Sequence, residues 1–160
     1  MFDTRFFKLI VTALLAMTGA ARADETSAGA LAQNLAPTIT EVANGGSWTD
    51  GKDTGFYRAV VVNEPGAANP APGNDVAYVF LQWVTYRNGT SEPHIVMAVP
   101  VKEVNALALP NAFLTIDAEK DNQAILTVSS FDPQKEGDQN FTITAALPGK
   151  YDFKAGADEQ

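Results

Sequence analysis

At 160 residues, with a formal net charge of −8 and no cysteine, the chain has room for one ordinary domain and no disulfide framework. The acidic balance argues against nucleic acid and anionic membrane surfaces as partners, because both call for basic patches. Thiol catalysis, cysteine-ligated zinc, iron–sulfur clusters and a cysteine-borne lipid anchor are excluded with the cysteine.

Residues 1–23 have the three parts of a secretory signal peptide. Arg5 and Lys8 are basic, Leu9 to Met17 is an apolar run, and Ala21-Arg22-Ala23 fits the small-x-small cleavage pattern. The apolar run is far shorter than the roughly 20 residues a spanning helix needs. Cleavage after Ala23 is therefore expected, with the product released to the periplasm or secreted. Removing Arg5, Lys8 and Arg22 against Asp3 leaves the remainder two charges more acidic. No later stretch is apolar and long enough to span as a helix.

Residues 24–37 are small and polar. They read either as a flexible arm or as a short helix over Ala28–Leu35 that ends before Pro37. From residue 38 to about 154 the pattern is β. Ile39–Val42 reads as a short strand, followed by the turn cluster Asn44–Ser47, then Trp48, then a second turn cluster over Asp50–Gly55. Phe56–Asn63 is rich in aromatic and β-branched residues, as strands are. Glu64 to Asn74 carries three prolines and two glycines and reads as a surface loop.

Val76–Arg87 is the strongest strand and is mostly apolar on both faces, as in a central strand covered on both sides. Asn88-Gly89 follows as a hairpin signal, and Pro93–Val101 returns. Pro100 cannot donate a ladder hydrogen bond and marks an edge, a bulge or an end. Lys102 to Pro110 is a link of mixed character. Ala112–Ala118 and Gln123–Phe131 form a second hairpin around Glu119–Asn122. Phe141–Leu147 alternates cleanly, Pro148-Gly149 turns, and Tyr151–Phe153 adds an optional last strand before a disordered tail at 155–160. The sum is an all-β fold: a single antiparallel β-sandwich, or a small β-barrel, of about seven strands.

The chain carries few of the usual catalytic tools. His94 is its one histidine and no G-x-S-x-G elbow occurs, so neither a serine triad nor a histidine-based zinc site is supported. No glycine pattern suits a nucleotide phosphate, and no acidic loop matches the EF-hand spacing. No metal and no cofactor is expected. The candidate contact residues are Trp48, Asp50, Asp53, Tyr57 and Arg58, on and beside the two turn clusters. Scaffolded loops commonly carry binding function. A tryptophan beside a turn either plugs the end of a sandwich or stacks on a ligand, and the plug is the commoner use. Arg58, among apolar residues, calls for a partner, most simply a carboxylate.

These features point to an exported, non-enzymatic β-domain that binds another protein in the bacterial cell envelope, in an accessory, inhibitory or immunity-type role. Two alternatives stand beside it. One is a carbohydrate-binding module using exposed aromatics. The other is a hydrolase using carboxylates such as Asp50, Asp53, Asp117 and Glu119.

Overall fold

The computed structural model describes residues 33–65, 75–86, 92–120, 122–132 and 137–156. The signal peptide, most of the 24–37 arm, the proline-rich loop from residue 66 and the Asn88-Gly89 turn lie outside the described residues. The elements run β1 (Ile39–Asp50), β2 (Asp53–Pro65), β3 (Asp75–Tyr86), β4 (Pro93–Pro100), a single-turn helix α1 (Lys102–Asn105), β5 (Phe113–Lys120), β6 (Gln123–Asp132), β7 (Gly137–Ala145) and β8 (Tyr151–Ala155). The strands form two four-stranded sheets, in orders β1-β2-β3-β4 and β5-β6-β7-β8. Every neighbouring pair is antiparallel. The all-β expectation holds, with eight strands among the described residues and an architecture of the two-sheet sandwich kind. The optional last strand is real and reaches Ala155, and Gly156 still donates its N–H to the Asn140 carbonyl at 2.7 Å.

The first correction concerns β1. The Asn44–Ser47 cluster does not turn the chain; it lies inside a single twelve-residue strand. The register against β2 slips between Gly45 and Ser47, and Gly46 sits at φ +63°. This is a β-bulge in which glycine supplies the left-handed conformation. The actual turn is shorter than the sequence suggests. Asp50 pairs with Asp53, so only Gly51 and Lys52 lie between the strands, with Gly51 at φ +62°.

Alternation builds the core. Tyr57, Ala59 and Val61 of β2 and Ala77, Val79, Leu81 and Trp83 of β3 point inward from the first sheet. Leu114, Leu126, Val128, Phe141, Ile143 and Ala145 answer from the second, and all belong to one buried cluster. Trp83 ties the sheets with a polar contact as well, donating Nε1–H to the Ala146 carbonyl at 2.7 Å.

Two seams join the sheets. At one, β1 meets β5 and β6. The Glu41 carboxylate accepts the Leu114 N–H at 3.0 Å, and Asn122, itself at φ +62°, donates its N–H to the Ser47 carbonyl at 3.1 Å. The Asn122 Oδ1 in turn accepts the Thr49 N–H. At the other seam, the Tyr151 hydroxyl donates to Glu103 at 2.8 Å and accepts the Lys102 N–H at 3.2 Å. Burial first, and then the bond to Glu103, push the Tyr151 hydroxyl above its ordinary pKa.

The link after β4 has its own logic. β4 ends at Pro100, opposite Phe80, which leaves the rest of the β3 edge unpaired by strand. The link supplies the missing partners. Val101 N–H bonds the Val79 carbonyl, Asn105 Oδ1 accepts the Val79 N–H at 2.7 Å, and Leu109 accepts from Ala77 N–H at 2.8 Å. Buried backbone groups need such partners wherever they come from, and a mixed sequence serves because side chain and backbone share the work.

Glycine spacing gives a direct test of this geometry. A Cβ at Gly55 would stand 1.9 Å from the Val84 carbonyl oxygen and 2.9 Å from Trp48, so backbone must move; at Gly51 it would meet nothing. Gly55→Ala is expected to cost about 3 kcal/mol by overpacking. Gly51→Ala should cost only about 1 kcal/mol from its positive φ. Urea unfolding of the two variants checks the order, which reverses if Gly55 on β2 is not this close to Val84 on β3 and Trp48 on β1.

Candidate functional site

The bulge at Gly46 decides where Trp48 goes. Before it, Ala43 and Gly45 oppose the inward residues Ala59 and Tyr57. After it, Ser47 opposes Phe56 and Trp48 opposes Gly55. One extra residue exchanges the two faces of a strand, and Trp48 is thereby turned inward. Its ring is 1% exposed, and its Nε1–H bonds the Phe56 carbonyl at 3.1 Å. Trp48 is thus a plug at this end of the sandwich. Tyr57 is fully buried too, edge-on to Trp83 with ring centroids 6.2 Å apart. Neither aromatic has a free face to stack on a ligand, so both leave the expected contact surface.

Asp50 and Asp53 are exposed and pair across the β1–β2 turn. Arg58 is half-buried on the outer face of β2, and its partner differs from the carboxylate expected. Its Nε donates to the Gln82 Oε1 at 2.7 Å. The two strands place Arg58 directly opposite Gln82, so the polar interruptions of two apolar strands satisfy each other.

A shallow groove of about 360 Å³ opens beside Trp48, lined among others by Ser47, Thr49, Thr54, Phe56 and Tyr86. Phe56 and Tyr86 form one wall, with ring centroids 6.0 Å apart and tilted by 41°. Tyr86 is 56% exposed. The remaining lining is Trp48, the Ser47, Thr49 and Thr54 side chains, and two glycines. Asp50 and Asp53 are not among the lining residues, and no carboxylate is.

From this groove an apolar surface continues across the first sheet. Phe56 pairs with Val84, and Val84 with Ile95. Val84 is fully buried although it lies on the outer face, sealed by the larger side chains around it, and it stands outside the main core cluster. Ile95 and the bulge residue Val96 on β4 are each 42% exposed, whereas Met97 pairs with the inward Trp83 and its side chain lies near Gly149, between β7 and β8 of the second sheet. The second sheet differs. Thr115, Thr127, Thr142 and Lys154 form one row across its outer face. Ser129 and Asn140 hydrogen-bond in another, and the exposed Phe113 and Phe131 stand at one end.

A second recess, of about 330 Å³, is lined by Thr40, Glu41, Asn63, Asn111, Ala112 and Phe113. It holds one carboxylate. Neither recess brings two together, and among the described residues no three of His, Asp and Glu converge on a point. His94 is exposed on β4.

Sequence reasoning counts Tyr86 among the aromatics that could serve a binding patch but misses Phe56 and Ile95 as surface groups. The signal was present in Val76–Arg87, where both faces of the strand are apolar. One face is core; the other is this outer surface.

Tyr57 supplies a measurable consequence of burial. Its hydroxyl has no hydrogen-bond partner among the described residues, and burial pushes its pKa up to about 12. An acid whose pKa is higher folded than unfolded holds its proton longer in the native state. Its contribution to stability is therefore complete below pH about 10 and is lost as pH rises towards 12. Tyr57→Phe removes that loss and leaves no donor unmatched, so stability at neutral pH should stay level or rise by about 1 kcal/mol. Denaturant titrations at pH 7 and between pH 10 and 12 check both parts. A large neutral-pH loss would mean that the hydroxyl has a partner.

Comparison with protein-family models, with curated proteins and with solved structures finds no match for this chain.

Proposed function

We propose that this chain is an exported, non-enzymatic binding protein that engages a protein of the bacterial cell envelope through the outer face of its first sheet. The observation that carries this is the contrast between the two outer faces. One carries a row of threonines, with its exposed Phe113 and Phe131 confined to one end. The other presents Tyr86 and Ile95 around a sealed Val84, with Val96 beside them at the β4 bulge and Val42 exposed on β1. Contiguous exposed apolar surface of that kind marks interaction sites. β4 is an edge strand, yet Pro93, Pro100 and the slip between Trp83 and Val84 in its pairing blunt it against strand addition. Side chains, rather than backbone ladders, therefore make the contact. The basic residues and apolar run of 1–23 support export.

The groove favours one second reading. Phe56 and Tyr86 over a rim of Ser47, Thr49 and Thr54 hydroxyls resemble, in kind, a platform for a sugar ring. The carboxylate-hydrolase alternative has no comparable support from either recess.

Three substitutions separate these readings. A photo-reactive group placed at Val96 should cross-link one envelope protein in living cells, and Ile95→Lys should abolish that product without changing the melting temperature. Tyr86→Ala should reduce protein capture about tenfold and leave glycan arrays blank. Glycan binding that vanishes in Tyr86→Ala, with no cross-link from Val96, would replace the protein reading by the sugar one.

A further inference from the structure

The outer face of β2 has a pattern that reads the same in opposite sense from its two ends. Tyr57, Ala59 and Val61 point inward, so the outward side chains are Arg58, Val60, Val62 and Glu64. These are a cation, two apolar groups and an anion at equal spacing. In register on β3 stand Gln82, Phe80, Tyr78 and Val76.

Consider two such sheets face to face, related by a two-fold axis that lies between them and crosses the strands midway between Val60 and Val62. Symmetry then stacks each residue over its mirror position in the row. Arg58 of each copy falls over Glu64 of the other, Val60 over Val62, and Phe80 over Tyr78. We propose that a second copy of this chain occupies this face, with two symmetric Arg58–Glu64 ion pairs flanking a centre of valine and aromatic side chains. Sheets packed in this way lie about 10 Å apart, which an arginine and a glutamate side chain bridge together.

Charge selects this occupant. The chain carries a net −8, so copies repel one another over most of their surface. On the rows through Arg58 and Val60 the neighbouring strands contribute Asn44 and Val42 from β1 and Ala98 and Pro100 from β4, none of them charged. Arg58 is also held ready. Its Nε is fixed by Gln82 at 2.7 Å, and the two Nη groups are those that engage a carboxylate end-on. Rows 58 to 64 run about 20 Å along β2 and β3, with β4 present only at rows 58 and 60 and β1 reaching row 62, a footprint modest for a specific interface. Association should therefore depend on concentration, and on salt through the ion pairs. The inference goes beyond the proposed function and does not depend on it, because Phe56, Tyr86 and the groove lie outside these rows.

Sedimentation velocity over a concentration series tests it on the chain as it accumulates in the cell. The wild type should pass from monomer to dimer. Arg58→Glu and Glu64→Arg should each weaken the dimer by about tenfold or more, since each places like charges opposite one another. An equimolar mixture of the two variants should dimerise again, because one row is then doubly acidic and the other doubly basic. The double variant should also recover. Wild type that stays monomeric up to its solubility limit overturns the proposal, as does a dimer indifferent to both substitutions or a mixture that does not associate. If Arg58→Glu loses the fold along with its Gln82 bond, the exposed Glu64→Arg decides alone: a weakened dimer supports the pairing and an unchanged one overturns it. Loss of the Val96 cross-link with the dimer intact would instead count against the protein-binding reading.

Discussion

The close approach of β1 to the second sheet is the constraint on which the rest of the fold depends. A Cβ at Gly45 would lie 2.0 Å from the Ile116 side chain, and one at Gly46 would lie 3.0 Å from Ala124. Only glycine permits both the contact and the positive φ of the bulge. The bulge then turns Trp48 inward, where its ring lies over Gly55, a second position with no room for a side chain. Asn122 clamps Ser47 and Thr49 immediately beyond the bulge. A strand phase, a buried tryptophan and one wall of a groove thus follow from two adjacent glycines.

Stability alone does not explain the two outer faces. Each exposed apolar side chain forgoes about 25 cal/mol per Å² of surface that burial would gain. The second sheet shows that threonines are compatible with the same strand geometry, since Thr115, Thr127 and Thr142 line up across three strands. The first sheet instead keeps Val42, Tyr86, Ile95 and Val96 exposed. Its outer face is also dense enough to seal Val84 completely and Val60 nearly so, which amounts to a second, one-sided layer of packing. Such a layer suits a surface that spends part of its time covered.

Much of the fold was legible because alternation with period two reports burial directly. Phe141, Ile143 and Ala145 face the core as their spacing requires, and the hairpin around residues 119–122 closes with Lys120 opposite Gln123. The misreading of β1 has one source. Alternation carries no information about an inserted residue, so Asn44–Ser47 looked like a turn, although the reading of Trp48 as a plug at the end of the sandwich agrees with its burial. The link after Pro100 was illegible for a different reason. Its partners, Val79 and Ala77, lie more than twenty residues away in sequence, and a side-chain amide supplies part of the pairing. The apolar outer face was visible in Val76–Arg87, but a single strand cannot say which of its two apolar faces meets the other sheet.

Arg58 shows how the two levels combine. A half-buried guanidinium among valines and aromatics costs desolvation that a carboxylate within the chain would ordinarily offset. Here the hydrogen-bonded partner is a neutral amide, Gln82, in direct cross-strand register. A neutral partner satisfies the donor geometry while leaving the positive charge without a carboxylate partner among the described residues. If fold stability were the only requirement, a carboxylate at position 82, or an apolar pair at both positions, would serve better. Retaining a charge fixed in orientation but not neutralised fits a group whose counter-charge arrives from outside the chain. In an acidic protein, a locally positive and otherwise apolar sheet face is where that counter-charge meets the least resistance.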